Sequence, residues 1–309
     1  MNCPIETRSS KRCPAHEKPF HSPWICLGFQ IVNQGSLKTF GIVAGSGVYP
    51  RLMARAARHN GVEKIIVAAF ENETDPQIAS FVDEVIWMRV GQLGKLCKSF
   101  KNAGVQECAM VGAIGLKNLF DLRPDLRCIK VIASLKERNA ATLFGAVAGE
   151  LEKDGIHVVE ATRFLDDMLP HAGHIAGPKP DKKQLADIAY GSQVAKQISA
   201  MNIGQSVVVR NGTVLAVEAY ESTSDTIIRG GKAGKENAIL VKVSKPGHDF
   251  RFDVPVIGIK TLEIAKEAQV KVIAVEARKT LLLEIEDLKV FADRHKITLY
   301  AFDPEQIPS

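Results

Sequence analysis

Two short strings in this chain gather groups that can act on a phosphate. The first is Glu218-Ala-Tyr-Glu221-Ser222-Thr223-Ser224-Asp225-Thr226-Ile-Ile-Arg229, and the second is Lys242-Val-Ser-Lys245-Pro-Gly-His248-Asp249-Phe-Arg251-Phe-Asp253. Breaking a phosphoanhydride needs carboxylates to hold Mg²⁺ or Mn²⁺ and to orient a water molecule. It also needs cations around the phosphate oxygens. Glu221, Asp225, Asp249 and Asp253 suit the first task, and Arg229, Lys242, Lys245 and Arg251 suit the second. The same residues also suit solvated loop ends with local ion pairs. Thr223 and Ser224 equally suit N-caps of a turn over residues 225–229, and His248 suits a surface position as well as a base.

A further candidate is the run Gly41-Ile-Val-Ala-Gly45-Ser46-Gly47-Val-Tyr-Pro50. It places glycines between an apolar strand and a helix start. Backbone N–H groups and the helix N-terminus there favour an anion such as a pyrophosphate. The dinucleotide fingerprint wants a third glycine where Pro50 stands. A tight structural turn is therefore the competing reading for Gly45, Ser46 and Gly47, and Glu71 is only a formal match to the ribose-binding acid.

The elements that must position these groups follow from periodicity. Strands are expected at residues 39–44, 64–70, 85–90, 107–111 and 157–160, with helices at 50–59, 92–103 and 139–153 between them. Alternation of this kind argues for parallel βαβ units. Residues 169–180 hold three prolines and two glycines and break any regular element. In the second half a helix is expected at 181–201, then strands at 205–210 and 213–219. The Asn211-Gly212 pair between those strands is a strong hairpin signal. Strands at 238–243, 254–259, 270–277 and 297–302 and helices at 261–268 and 283–295 complete the pattern. The fold class expected is α/β in two domains, at 38–170 and 181–305, joined by a linker at 171–180.

Composition sets limits. The chain has 309 residues and a formal net charge of +5. That suits an anionic ligand or an anionic membrane surface, but no basic block argues for nucleic acid. No apolar run is long enough to span a bilayer. Residues 1–37 hold three Cys, four Pro and two His without a helical or strand period. They read as a disordered extension or as sequence upstream of the true start, and a zinc cluster there lacks a tight C-x-x-C pair. The cysteines at 97, 108 and 128 read as reduced thiols.

From about residue 40 to 302 the chain resembles the LpxI-type UDP-2,3-diacylglucosamine pyrophosphatases of lipid A synthesis. The segments that carry the likeness are GIVAGSGVYP at 41–50, GQLGKL at 91–96, DLRPDL at 121–126 and ELEKDGIHVVEATRFL at 150–165. They continue with DIAYG at 187–191, GQSVVVR at 204–210, VLAVEA at 214–219 and KVSKPGHDFRFDVPVIG at 242–258. The resemblance implies a Rossmann-like N-terminal domain, a distinct α/β C-terminal domain, and a lipid-linked UDP-sugar bound between them. It implies water attack on the α-phosphorus with Mg²⁺ or Mn²⁺, giving UMP and a diacylated glucosamine phosphate. It further implies a cytoplasmic enzyme peripheral to the inner membrane, and it leaves room for a homodimer.

Three departures stand out. The family usually reads E-G-T-D where this chain has Glu221-Ser222-Thr223-Ser224, so its catalytic acid falls on Ser224. Asp225 is then the expected catalytic acid and metal ligand, with Glu221 and Thr223 beside it and Asp249 and Asp253 completing the metal set. The family's paired acids near residue 139 are Ala140 and Ala141 here, and a usual glycine is Arg278. A catalytically weak or inactive nucleotide-sugar-binding homologue is the alternative reading.

Overall fold

A computed structural model describes residues 37–114, 124–136 and 140–306. The expectations for residues 1–36, and the first part of the DLRPDL segment, lie outside the described residues. Strand β1 (Thr39–Ala44) is buried from Phe40 onward, as a strand covered on both faces must be. It pairs in parallel with β2 (Lys64–Phe70) and β4 (Glu107–Val111), while β3 (Glu84–Met88) and β5 (His157–Val158) extend the sheet to the order β3-β2-β1-β4-β5. Helix α1 (Tyr49–His59) covers one face through Met53 and Ala57, over Phe40, Ile42 and Ile65. Helices α2 (Leu93–Asn102), α3 (Leu126–Ser134) and α4 (Ala140–Lys153) cover the other, with Phe100 and Leu151 against Val43 and Ile66. The order reverses between β1 and β4, and in such sheets ligands bind outside the carboxyl ends of strands at that point.

The second half builds a mixed sheet in the order β6-β13-β11-β9-β7-β8, opening on β6 (Gly173–Ala176) at one edge. Its parallel centre is β9 (Ala238–Lys242), β11 (Val270–Glu276) and β13 (Thr298–Phe302). The antiparallel hairpin β7 (Ser206–Arg210) and β8 (Thr213–Val217) flanks β9. Asn211 and Gly212 both have positive φ, 47° and 68°, the signature of the two-residue hairpin turn that Asn-Gly favours. Helix α5 (Lys182–Ala200) packs Ile188 and Ala195 on one face. Helices α6 (Thr223–Gly234), α7 (Ile259–Glu267) and α8 (Ile285–His295) pack Ile227, Leu262 and Leu288 on the other.

Three expectations are corrected. The stretch 171–180 contains β6 (Gly173–Ala176), which pairs antiparallel with β13. The strand expected at 254–259 is only β10 (Val256–Ile257), paired in parallel with β12 (Leu281–Leu282), because Gly258 caps α7 immediately after it. The turn expected after Thr223 is the 12-residue helix α6. That helix sits so close to β7 that a Cβ on Gly230 would collide with the Val208 side chain. Leu281 and Leu283 reach into the core around α1, and Arg51 of α1 meets Glu284 at 3.1 Å. The two halves are thereby fastened along the line where the pocket opens.

Candidate functional site

The exit of β1 forms the floor of a pocket. Gly45 N–H donates to Val111 O at 2.8 Å, and Ser46 N–H and Oγ–H both donate to Ala113 O, at 2.7 and 2.9 Å. These bonds clamp the loops after β1 and β4 back to back. A Cβ on Gly112 would come within 2.7 Å of Ser46 O, and one on Gly45 would meet Gly112 and Ala113 backbone. Gly45 and Ser46 are therefore engaged in the loop contact, and their N–H groups are not turned to an anion as the sequence suggested. Gly47, at φ +88°, is the residue of the three that turns the chain into α1. Pro50 removes one N–H from that helix start.

Above this floor is a pocket of about 510 Å³ between the two domains, walled by Gly47, Tyr49, Phe144, Phe252, Asp253 and Val256 among others. Tyr49 is held by donating its hydroxyl to Ala161 O at 2.6 Å, and burial pushes its phenol up. Behind Phe144 and Phe70 lies an apolar cavity of about 230 Å³, lined by Leu93, Leu96, Val131, Ile132, Leu143 and Val147. The two spaces share Val43, Phe70, Met110, Ile114 and Phe144 as wall. A largely apolar pocket with one carboxylate, Asp253, on its wall thus borders a second apolar cavity.

The polar wall continues from Asp253 into the second domain. Asp253 Oδ2 lies 2.8 Å from Nε2 of the buried His248 and accepts from Gln205 Nε2 at 3.4 Å. Burial would raise its carboxyl, but the His248 ring, the Gln205 amide and the Lys242 charge outweigh that and hold it below the usual carboxylate range. The Gln205 backbone N–H donates to Glu218 Oε2 at 3.3 Å. Thr223 Oγ1 donates to Glu218 Oε1 at 2.6 Å and accepts from Lys242 Nζ at 2.9 Å. Glu218 is likewise lowered. Burial opposes this, and the Lys242 ammonium, the Thr223 and Ser206 hydroxyls and the Gln205 N–H overcome it. Lys242 is 7% exposed and closes β9 at the carboxyl edge of the sheet, between two lowered carboxylates. Its desolvated ammonium donates to Thr223 Oγ1 and to Ser206 Oγ at 3.4 Å, and its charge acts on both carboxylates without touching either.

Of the residues singled out in the sequence, the structure draws Lys242, Thr223 and Asp253 into this network. It pairs others off. Arg251 grips Asp249 through Nε at 2.9 Å and Nη2 at 2.7 Å. Arg229 donates to Glu221 and to Val217 O. Lys245 Nζ meets Asn202 Oδ1, while Glu71, the formal ribose acid, pairs with Arg89. Asp225 is the third residue of α6. Its exposed carboxylate accepts from Ser222 N–H and Oγ–H while Ser222 Oγ accepts Asp225 N–H, a reciprocal capping box. The proposed set Asp225, Asp249 and Asp253 is not assembled. Among the described residues, no three His, Cys, Asp or Glu side chains lie close enough to hold a metal ion. Sequence reasoning passed over Glu218 and Gln205, which lie across the β7–β8 hairpin from one another. The usable signal was the hairpin itself, which brings the residue before β7 beside the one after β8.

Comparison with known proteins bears directly on this arrangement. Residues 39–168 match the LpxI N-terminal domain, and residues 171–300 match the LpxI C-terminal domain. The chain is also similar to the UDP-2,3-diacylglucosamine pyrophosphatase LpxI of Caulobacter vibrioides, at 28% identity over 284 residues, covering 88% of this chain and all of that protein.

Proposed function

The chain belongs to the LpxI family, and on that footing we propose that it hydrolyses the pyrophosphate of UDP-2,3-diacylglucosamine to UMP and 2,3-diacylglucosamine 1-phosphate. The observation that carries this is the pocket that sets the Asp253 carboxylate beside the apolar cavity behind Phe144. A molecule with an anionic middle and acyl chains needs both chambers side by side. The relative's printed activity supplies the substrate class.

In this reading Asp253 accepts a proton from water as its oxygen bonds the α-phosphorus and the bond to the bridging oxygen breaks. Lys242 lies behind it, stabilising the charge that builds on the phosphoryl oxygens. His248 and Gln205 keep the Asp253 carboxylate aimed. Mg²⁺ or Mn²⁺ fits here in a limited way. Such ions are often held by one or two carboxylates together with substrate phosphates, and Asp253 is the half-exposed carboxylate on the pocket wall. When bound, the ion would polarise the phosphoryl oxygens. The work takes place at the cytoplasmic surface of the inner membrane, where such a lipid substrate resides.

The capping role of Asp225, with Ser224 at the family's acid position, favours a second reading: a homologue that binds the nucleotide sugar with little turnover. The test is UMP release from UDP-2,3-diacylglucosamine with and without each divalent ion, for wild type and Asp253→Asn. Turnover lost in Asp253→Asn supports the hydrolase. Thermal stabilisation by substrate without UMP release supports the binding protein, and neither response removes both.

A further inference from the structure

We propose that the outer face of α3, with the exposed lysines of α2 beside it, is a docking surface for an anionic lipid bilayer. None of α3 is fully buried. Polar staples fix it instead: Asp125 accepts Cys128 N–H at 2.9 Å and Gly94 N–H at 2.7 Å, and Arg127 grips Glu150 at 2.6 Å and Asp154 at 2.5 Å. One side of the helix lines the apolar cavity through Cys128, Val131 and Ile132. The other side presents Leu126 and Ile129, 78% and 48% exposed, at the i, i+3 spacing of a single stripe. Lys130 is exposed next to them, and Lys98 and Lys101 are exposed on α2, while Lys95 there is tied to Trp87 O at 2.7 Å. Neither helix contains an acid, and among the described residues Asp125, Glu150 and Asp154 are engaged as given above.

Apolar side chains flanked by lysines match the boundary between acyl chains and anionic headgroups. A second copy of this chain fits the face poorly, because a two-fold contact would set the same lysines against each other. A helix with one apolar side on the cavity and the other on a bilayer also gives an acyl chain a short path inward. That last step rests on the lipid-substrate reading, whereas docking itself does not.

The experiment is co-sedimentation of the full chain, without substrate, with vesicles of phosphatidylethanolamine and phosphatidylglycerol, set against pure phosphatidylcholine. The chain should pellet with the anionic vesicles and be released by raised salt. Each of Ile129→Glu and the double variant Lys98→Glu/Lys130→Glu should weaken binding about tenfold or more, while Val290→Glu, an exposed apolar position on α8, should not. The salt response of the wild type holds even if a variant fails to fold. The proposal falls if binding is equal on both vesicle types, if the α2 and α3 variants bind like wild type, or if Leu126→Glu instead dissociates a dimer and leaves vesicle binding intact. An inactive chain that still docks would sink the hydrolase reading and leave this one standing.

Discussion

Nδ1 of His248 accepts the backbone N–H of Lys245 at 3.0 Å, which turns Nε2 toward Asp253 Oδ2, 2.8 Å away. The loop therefore orients the imidazole, and the imidazole stands against the carboxylate on the pocket wall. Glutamine has the same two capacities, an amide oxygen to accept and an amide nitrogen to donate. His248→Gln should keep most of the turnover. His248→Leu should lower kcat on the order of 10- to 100-fold with little change in KM, because it frees a positioned group without removing binding contacts. Initial rates of UMP release with both variants check this. Equal rates for His248→Leu and wild type would show that Asp253 needs no such partner.

Lys242 carries the next expectation. Lys242→Met leaves the part-buried Glu218 with the Thr223 and Ser206 hydroxyls and the Gln205 N–H but without the nearby cation. The Glu218 carboxyl should then rise from its lowered position, since Lys242 is the largest of the groups that oppose burial there. Loss of the desolvated charge should cost about 100-fold in kcat, and Lys242→Arg should restore part of it. Steady-state rates, read alongside thermal melts, separate the electrostatic loss from unfolding.

The capping box at the start of α6 makes a different statement about Asp225. The amide oxygen of Asn can still accept the Ser222 N–H and Oγ–H from the third helical position, so Asp225→Asn should keep both the helix start and the position of Thr223. Its kcat should stay within about threefold of wild type, the scale of ~0.6 kcal/mol. Asp225→Ala and Ser222→Ala should each destabilise the protein by about 1 kcal/mol in urea unfolding. Abolished turnover in Asp225→Asn would return Asp225 to the reacting groups.

These residues also show which parts of the architecture could be read from the sequence. The apolar runs of β1 and β2 and the Asn211-Gly212 turn announce themselves, because each is a local pattern with one dominant physical cause. Helix α6 does not. Its first turn is Ser222-Thr223-Ser224-Asp225, which looks like a polar loop, and Gly230, Gly231 and Gly234 weaken its helical pattern. Those glycines are there because Val208, Ala268 and Leu215 respectively lie against them, a tertiary demand with no local trace. The site had the same difficulty. Lys242 and Asp253 could be picked out by charge, but Asp249 and Glu221 looked equally suitable. Only the fold shows that Arg251 and Arg229 neutralise them. Gln205 joins Glu218 to Asp253 across a hairpin and an interdomain loop, and no spacing rule reaches that far.

Glu276, at the end of β11, gives a prediction in pH. It is 1% exposed, takes Lys196 Nζ at 2.6 Å and Ser244 N–H at 2.8 Å, and lies 2.9 Å from Lys279 Nζ. Since Lys196 also donates to Ser244 O, this carboxylate ties α5 and the start of the 243–253 loop to the sheet. Burial alone would raise the Glu276 carboxyl, but the two lysines and the Ser244 N–H hold it below the usual carboxylate range. A carboxyl lowered in the folded state stabilises fully above its unfolded value, roughly 4.3. That contribution is lost as the pH falls through the lower folded value. Glu276→Gln removes the charge and strands two ammonium groups, so it should destabilise the protein by roughly 3 kcal/mol at neutral pH. The gap to wild type should narrow on acidification below about pH 4.3. Urea unfolding of both proteins across that range measures the gap directly, and a constant difference at every pH would mean that the ion pair is not what stabilises this end of the sheet.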